Sequence, residues 1–302
     1  MLEEPCGVLI VNKHAGVTSH DVVNKIRRLY NTRRVGHTGT LDPMATGVLV
    51  ILIGRAAKAC EYLASDSKRY RATLRLGLTS DTEDVTGEIL SRSDAIPDKR
   101  ALQNVLPRFT GRISQVPPMY SALKVGGQKL VDLARRGEVI ERKAREIEIF
   151  DLRAIATDAP CDYILDVHCS GGTYIRTLCA DIGASLGCGG VMATLMRTET
   201  CGFPIADAHT LAELEEMTPD ERLSCLHPTE SLFASLPTVR LSAFYEKLCR
   251  GGCEIYLKKL GVNLALGSRV RLLDASGAFF ALGEVREYED GLAVKAIKTF
   301  VL

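Results

Sequence analysis

The run Val-Leu-Val-Ile-Leu-Ile at residues 48–53, closed by a glycine on each side, is the strongest structural commitment in the chain. It carries no charge and is rich in β-branched residues. Its length suits a strand and falls well short of the ~20 apolar residues a helix needs to span a bilayer. It predicts a central strand in a protein without a membrane-spanning helix. A second strand type starts at Tyr70. There Ala72, Leu74, Leu76 and Leu78 alternate with Arg71, Thr73 and Arg75, the pattern of one buried and one polar face. Further strands are expected at 7–11, from Ile147 onward and at 163–169.

Helices are expected between them. Thr18 and Ser19 are N-cap candidates, and Asp21, three residues after Thr18, suits a capping box. Val22, Val23, Ile26 and Leu29 then share one face, with Lys25 and Arg28 off it. Shorter helices are expected at 98–110 and 130–136. Another opens at Thr173 and places Arg176 in its first turn, directly after a strand. Residues 31–46 and 79–86 read as loops, and Pro117-Pro118 holds its neighbourhood extended. The class is α+β (mixed α/β) around a largely antiparallel sheet. A chain of 302 residues exceeds the ~250 at which single cores stop growing. The texture changes to short strands and turns near residue 235, giving expected domains of 1–235 and 236–302.

The ten cysteines show no Cys-x-x-Cys spacing, so reduced, buried thiols are expected and no metal site. The start, Met-Leu-Glu-Glu, is acidic where a secretory signal is basic, so a cytoplasmic protein is expected. The net charge of +1 hides an asymmetry: residues 1–80 hold twelve basic against six acidic side chains. That imbalance suits a polyanionic partner or a solvated surface equally well.

Residues 36–47, Gly-His-Thr-Gly-Thr-Leu-Asp-Pro-Met-Ala-Thr-Gly, are the densest motif. No Gly-Lys-Ser/Thr follows at P-loop spacing. The Thr-Gly-Thr-Leu shared with aspartyl-phosphate ATPases lacks their Asp, since Gly36 stands in its place. What remains is Asp42, one carboxylate in a setting stiffened by Pro43, with glycines that permit close approach of another chain or ligand.

This segment resembles the catalytic motif of the bacterial tRNA pseudouridine-55 synthases, the TruB family. Lys68-Arg69-Tyr70-Arg71-Ala72 resembles the family's second motif, and Gly-Thr-Tyr-Ile-Arg-Thr-Leu at 172–178 its third. Gln-Val-Pro-Pro-Met-Tyr-Ser-Ala-Leu-Lys-Val-Gly-Gly at 115–127 resembles a segment peculiar to this branch. Leu195-Met196-Arg197-Thr198 with Gly202-Phe203 resembles the late motif. The matches run in family order across about residues 7–210.

The resemblance implies the pseudouridine synthase fold, with an RNA-clasping insertion at about 111–146 and a C-terminal PUA-like RNA-binding domain. It implies a cofactor-free, metal-free isomerisation with Asp42 as the nucleophile. Arg176 pairs with that Asp, and Tyr70 stacks on the target base and takes part in proton removal. By the same resemblance His37 fills the space of a flipped base, Lys13 supports the loop and Leu195 touches the uracil. Arg33, Arg34, Lys68 and Arg69 become phosphate contacts. The implied partner is the tRNA T-arm, with neither membrane nor obligate protein partner, and a monomer is expected.

The chain departs from the family pattern at His14 (usually Pro), Val131 (usually Tyr), Met196 (usually Arg) and Val191-Met192 (usually His-Leu). A different RNA target and a tRNA-folding chaperone that acts by binding alone therefore stay open beside the tRNA reading. A metal-dependent RNA hydrolase is the outside alternative.

Overall fold

The apolar run at 48–53 is fully buried, and the strand containing it separates two cores. A computed structural model describes residues 4–63 and 67–301, so Glu3 and Asp66 of the charge tally lie outside the described residues. The principal strands are β1 (Gly7–Lys13), β2 (Thr46–Ile53), β3 (Lys68–Leu76), β4 (Gly111–Gln115), β5 (Arg145–Ala156), β6 (Asp162–Cys169) and β7 (Gly190–Thr200). They form one sheet in the order β1-β2-β7-β3-β6-β5-β4. Only the β2–β7 contact in that series is parallel, so the sheet is mixed and largely antiparallel.

Strand alternation divides the β2 side chains between the two faces. Leu49, Ile51 and Ile53 join the core under helix α1 (Ser19–Leu29). Val48, Val50 and Leu52 join a second core on the other face. Each of these burials contributes roughly 2 kcal/mol. Thr18 caps α1 through a full capping box with Asp21, and Val22, Val23 and Ile26 are its buried stripe.

The second core is shared with the C-terminal sheet, built on β8 (Arg269–Leu273), β9 (Phe279–Tyr288) and β10 (Gly291–Thr299). Leu282 and Phe300 pack against Val8, Val50 and Leu52. The expected C-terminal β module is thus docked on the back of β1 and β2. It also contains a helix, Ala243–Arg250, that the turn-rich texture concealed.

The structure corrects several local expectations. The alternating strand from Tyr70 ends at Leu76, because Gly77 takes φ +88° and redirects the chain. Leu78 therefore opens a separate ribbon with Ile89–Arg92, and the expected loop at 79–86 begins inside it. Residues 35–37 of the expected 31–46 loop pair with β2. The helix expected from Thr173 is α2 (Ile175–Ser185), with Tyr174 as its N-cap. β7, a central strand that the apolar pattern does not announce, follows that helix and carries the late motif.

Because Phe300 is buried against Phe233 and Phe279 in the shared core, Phe300→Ala should destabilise the protein by about 3 kcal/mol. Urea unfolding followed by far-UV dichroism checks this; a loss under about 1 kcal/mol would mean that the two sheets are not energetically joined.

Candidate active site

Asp42 lies in a turn whose backbone is tied on both sides. Before it, Ser19 in the first turn of α1 grips Leu41: the Leu41 N–H donates to Ser19 Oγ at 2.9 Å and that hydroxyl donates to the Leu41 carbonyl at 3.2 Å. After it, the Pro43 carbonyl accepts from Lys13 Nζ at 3.2 Å and from the Gly16 N–H at 2.9 Å. Lys13, at the end of β1, is fully buried and also donates to the carbonyls of His14 and Val17. The capped helix and the strand end thus fix the loop, not merely its proline.

Arg176 reaches Asp42 from α2. Its Nε lies 2.9 Å from Asp42 Oδ2, with the arginine 6% exposed and the carboxylate 36%. Its Nη1 donates to the Thr82 carbonyl at 2.9 Å and Nη2 to the Tyr120 carbonyl at 2.7 Å. Asp84 Oδ2 stands 3.8 Å from Nε. Asp84 is itself buried and held by Thr82 and Thr86. A guanidinium removed from water needs such full pairing. It leaves Asp42 as the partly open end of the network, which suits a nucleophile.

Lys68, Tyr70 and Leu195 line the same cavity, which has a volume of about 400 Å³. Tyr70 is buried, and burial pushes its hydroxyl above the ordinary phenol range. The Arg197 charge pulls the other way. Arg197 lies in the late motif, which by itself implies no role for it. It is 1% exposed and donates from Nε to the Val48 carbonyl at 2.7 Å and from Nη2 to the Gly39 carbonyl at 3.1 Å. The available signal was that it is the sole charge in residues 190–198. Gly47, at φ +99°, lies so close to this strand that an added Cβ would meet the Arg197 carbonyl oxygen at 2.2 Å. Close approach is what its glycine permits.

His37 is half-buried and is not part of the cavity wall. Its Nδ1 accepts from the Gly39 N–H, and burial holds its pKa below the ordinary value. Arg33 and Arg34 are exposed, Arg34 pairing with Glu4 at 3.0 Å. Arg69 and Arg71 alternate with Lys68 and Tyr70, so they face the opposite side of the sheet. There they pair with Glu199 and Asp166. Any phosphate Arg69 meets is therefore remote from the reacting centre. Met196 likewise alternates with Leu195 and is 40% exposed, and the His14 ring is exposed. Neither departure lines the cavity.

Burial draws the Lys13 ammonium down from 10.5 to about 8, with Asp42 opposing and Arg197 assisting the shift. Above that pH the amine has too few protons for three carbonyls, so turnover should fall with a midpoint near 8. The folded pKa lies below the unfolded one, so the unfolded chain binds more protons between about 8 and 10.5. This group's contribution to stability therefore rises with pH over that window, and unfolding does not explain the lost turnover. A pH–kcat profile checks this, and an alkaline limb that persists unchanged in Lys13→Met would refute it.

Comparison with known proteins shows the family. Residues 27–175 match the family model described as TruB family pseudouridylate synthase (N terminal domain). Residues 176–234 match that of the tRNA pseudouridylate synthase B C-terminal domain. The seam falls between Ile175 and Arg176, within the first turn of α2, and the fold ignores it, since β7 lies between β2 and β3. The tRNA pseudouridine synthase B of Syntrophotalea carbinolica is 45% identical over 259 residues, covering 85% of this chain and 81% of that one. The protein of the same name from Francisella tularensis subsp. novicida is 44% identical over 237 residues, 78% of each. The Cbf5–Nop10–Gar1 crystal structure contains a chain of the same fold, with a TM-score of 0.76 at 24% identity, covering 99% of this chain and 86% of that one. The archaeal Nop10–Cbf5 complex gives 0.74 at 24% identity, covering 99% and 88%. With this identity sustained over most of its length, the chain belongs to the TruB family of pseudouridylate synthases.

Proposed function

We propose that this chain converts uridine 55 in the T-arm of tRNA to pseudouridine, with Asp42 as nucleophile. The observation that carries the reading is the Asp42 carboxylate 2.9 Å from the buried Arg176 Nε, in a cavity shared with Tyr70 and Leu195. The tRNA substrate is that of the relatives named above.

The reaction breaks the N1–C1′ bond and forms C5–C1′; C5 loses a proton and N1 gains one, with no net redox change. Asp42 makes a transient covalent bond, at uracil C6 or ribose C1′, and is released when the new C–C bond is set. Arg176 keeps the carboxylate ionised and aimed. Tyr70 stacks on the base and takes part in removing the C5 proton; burial disfavours its phenolate, and the Arg197 charge offsets part of that cost. Leu195 supplies apolar contact to the uracil. Lys13 keeps the Asp42 turn in place.

The target base must leave its stack, at a cost of a few kcal/mol. His37, beside the cavity, is the residue assigned to the space it vacates. Arg33, Arg34 and Lys68 serve the phosphates, while Arg69 serves a more distant part of the RNA. In this reading residues 1–235 are the catalytic domain, about 111–146 clasp the RNA, and 236–302 form a PUA-like RNA-binding domain. In the same reading the protein acts as a cytoplasmic monomer.

Tritium release from tRNA transcribed with uridine labelled at C5 tests both chemistry and position. Wild-type protein should release label from the normal transcript and none attributable to position 55 from a uridine-55-to-cytidine control. Asp42→Asn should bind tRNA within about threefold of wild type and lose at least ~10³ in rate. Undiminished release from the cytidine control would move the target to another uridine. Tight binding without release by the wild type would favour the chaperone alternative.

A further inference from the structure

The position of Arg176 depends on how α2 begins, and that start has no side-chain cap. Tyr174 is the N-cap and makes no capping hydrogen bond with its own side chain, unlike Thr18 at α1. It follows Gly171 and Gly172, the latter at φ +87°, so the local chain alone does not set the direction of the helix.

A residue far away in sequence supplies the missing constraint. Gln115, the last residue of β4, is 1% exposed. Its carboxamide meets the Tyr174 backbone as one strand meets another. The Tyr174 N–H donates to Gln115 Oε1 at 2.8 Å, and Gln115 Nε2 donates to the Tyr174 carbonyl at 3.0 Å. That carbonyl also accepts the first helical hydrogen bond, from the Leu178 N–H at 3.0 Å. Both lone pairs are therefore used, one along the helix and one to Gln115.

Two further contacts converge on the same place. Arg145, opposite Gln115 in the β5–β4 register, lies over the Tyr174 ring at 4.8 Å and donates to the Gly172 carbonyl. Beyond Gln115, Val116-Pro117-Pro118 offers few ladder donors, and the segment leads to Tyr120, whose carbonyl accepts from Arg176. Residues 115–120 thus grip α2 at Tyr174 and again at Arg176.

We infer that Gln115 is a positioning residue for catalysis: its amide clamp on Tyr174 fixes the start of α2, so that the Arg176 guanidinium meets Asp42. This rests on the assignment of Asp42 and Arg176 made above. Gln115 does not line the cavity, so its effect belongs in turnover rather than in RNA affinity.

The test compares Gln115→Leu, which removes both hydrogen bonds, with Gln115→Glu, which keeps the shape and the acceptor but, ionised beside Arg145, loses the donor. Arg176→Lys and the double variant Gln115→Glu/Arg176→Lys complete the cycle. Single-turnover and steady-state tritium release, tRNA binding and thermal unfolding are measured on the full chain. Each Gln115 variant should lose about 30- to 100-fold in kcat, with KM within about threefold. Adding Gln115→Glu to Arg176→Lys should cost less than about threefold more. Full turnover by both Gln115 variants while Arg176→Lys is impaired would overturn the clamp alone. So would a rise in KM at constant kcat, or losses that multiply independently with Arg176→Lys. Full turnover by Arg176→Lys would instead overturn the underlying reading of the site. If Gln115→Leu fails to fold, Gln115→Glu carries the same comparison.

Discussion

One buried guanidinium holds the site together. Arg176 touches the Asp42 turn, the 82–84 loop and the 120 segment at once, segments from widely separated parts of the sequence. In water each contact would be worth little. Inside the protein an unpaired guanidinium is costly, so the surrounding carbonyls and carboxylates must arrive together or not at all. The same demand that makes the arginine costly to bury makes its geometry specific, and Asp42, the more exposed partner of the pair, opens to the cavity.

A second layer keeps that geometry from relaxing. Ser19 and Lys13 hold the residues on either side of Asp42. Arg197 ties the same loop at Gly39 to β2 at Val48. Its strand lies against Gly47 so closely that no side chain fits between them. These are backbone contacts made by buried polar side chains, an arrangement that gives a loop the stiffness of a sheet. Catalysis by positioning rests on such stiffness, because small misplacements of a reacting group carry large rate penalties.

Strand alternation decides which of the early basic residues belong to the site. Lys68 and Tyr70 face the cavity; Arg69 and Arg71 face away and meet Glu199 and Asp166. The basic excess of the first 80 residues is therefore partly neutralised by acids contributed from β6 and β7. A linear charge count overstates the field near the site for that reason. The same alternation places Met196 outside the cavity.

Much was legible from residues alone. The apolar run of β2, the alternation of β3 and the capping box of α1 are local patterns, and local physics produces them wherever they occur. Asp42, Tyr70 and Arg176, which line one cavity, stood out because each lies in a contiguous motif. Gly77 ended a strand early, since a positive φ is invisible in a pattern of apolar spacing. Arg197 and Gln115 escaped attention for a different cause. Arg197 sits in a strand between apolar neighbours, and Gln115 acts on a backbone about 60 residues away. The sequence by itself determined the β2 and β3 strands, the capped start of α1 and the motifs that carry Asp42, Tyr70 and Arg176, because these depend on neighbours along the chain. Only the tertiary structure decided which polar groups are buried together, because desolvation acts on groups brought close by the sheet order, whatever their separation in sequence.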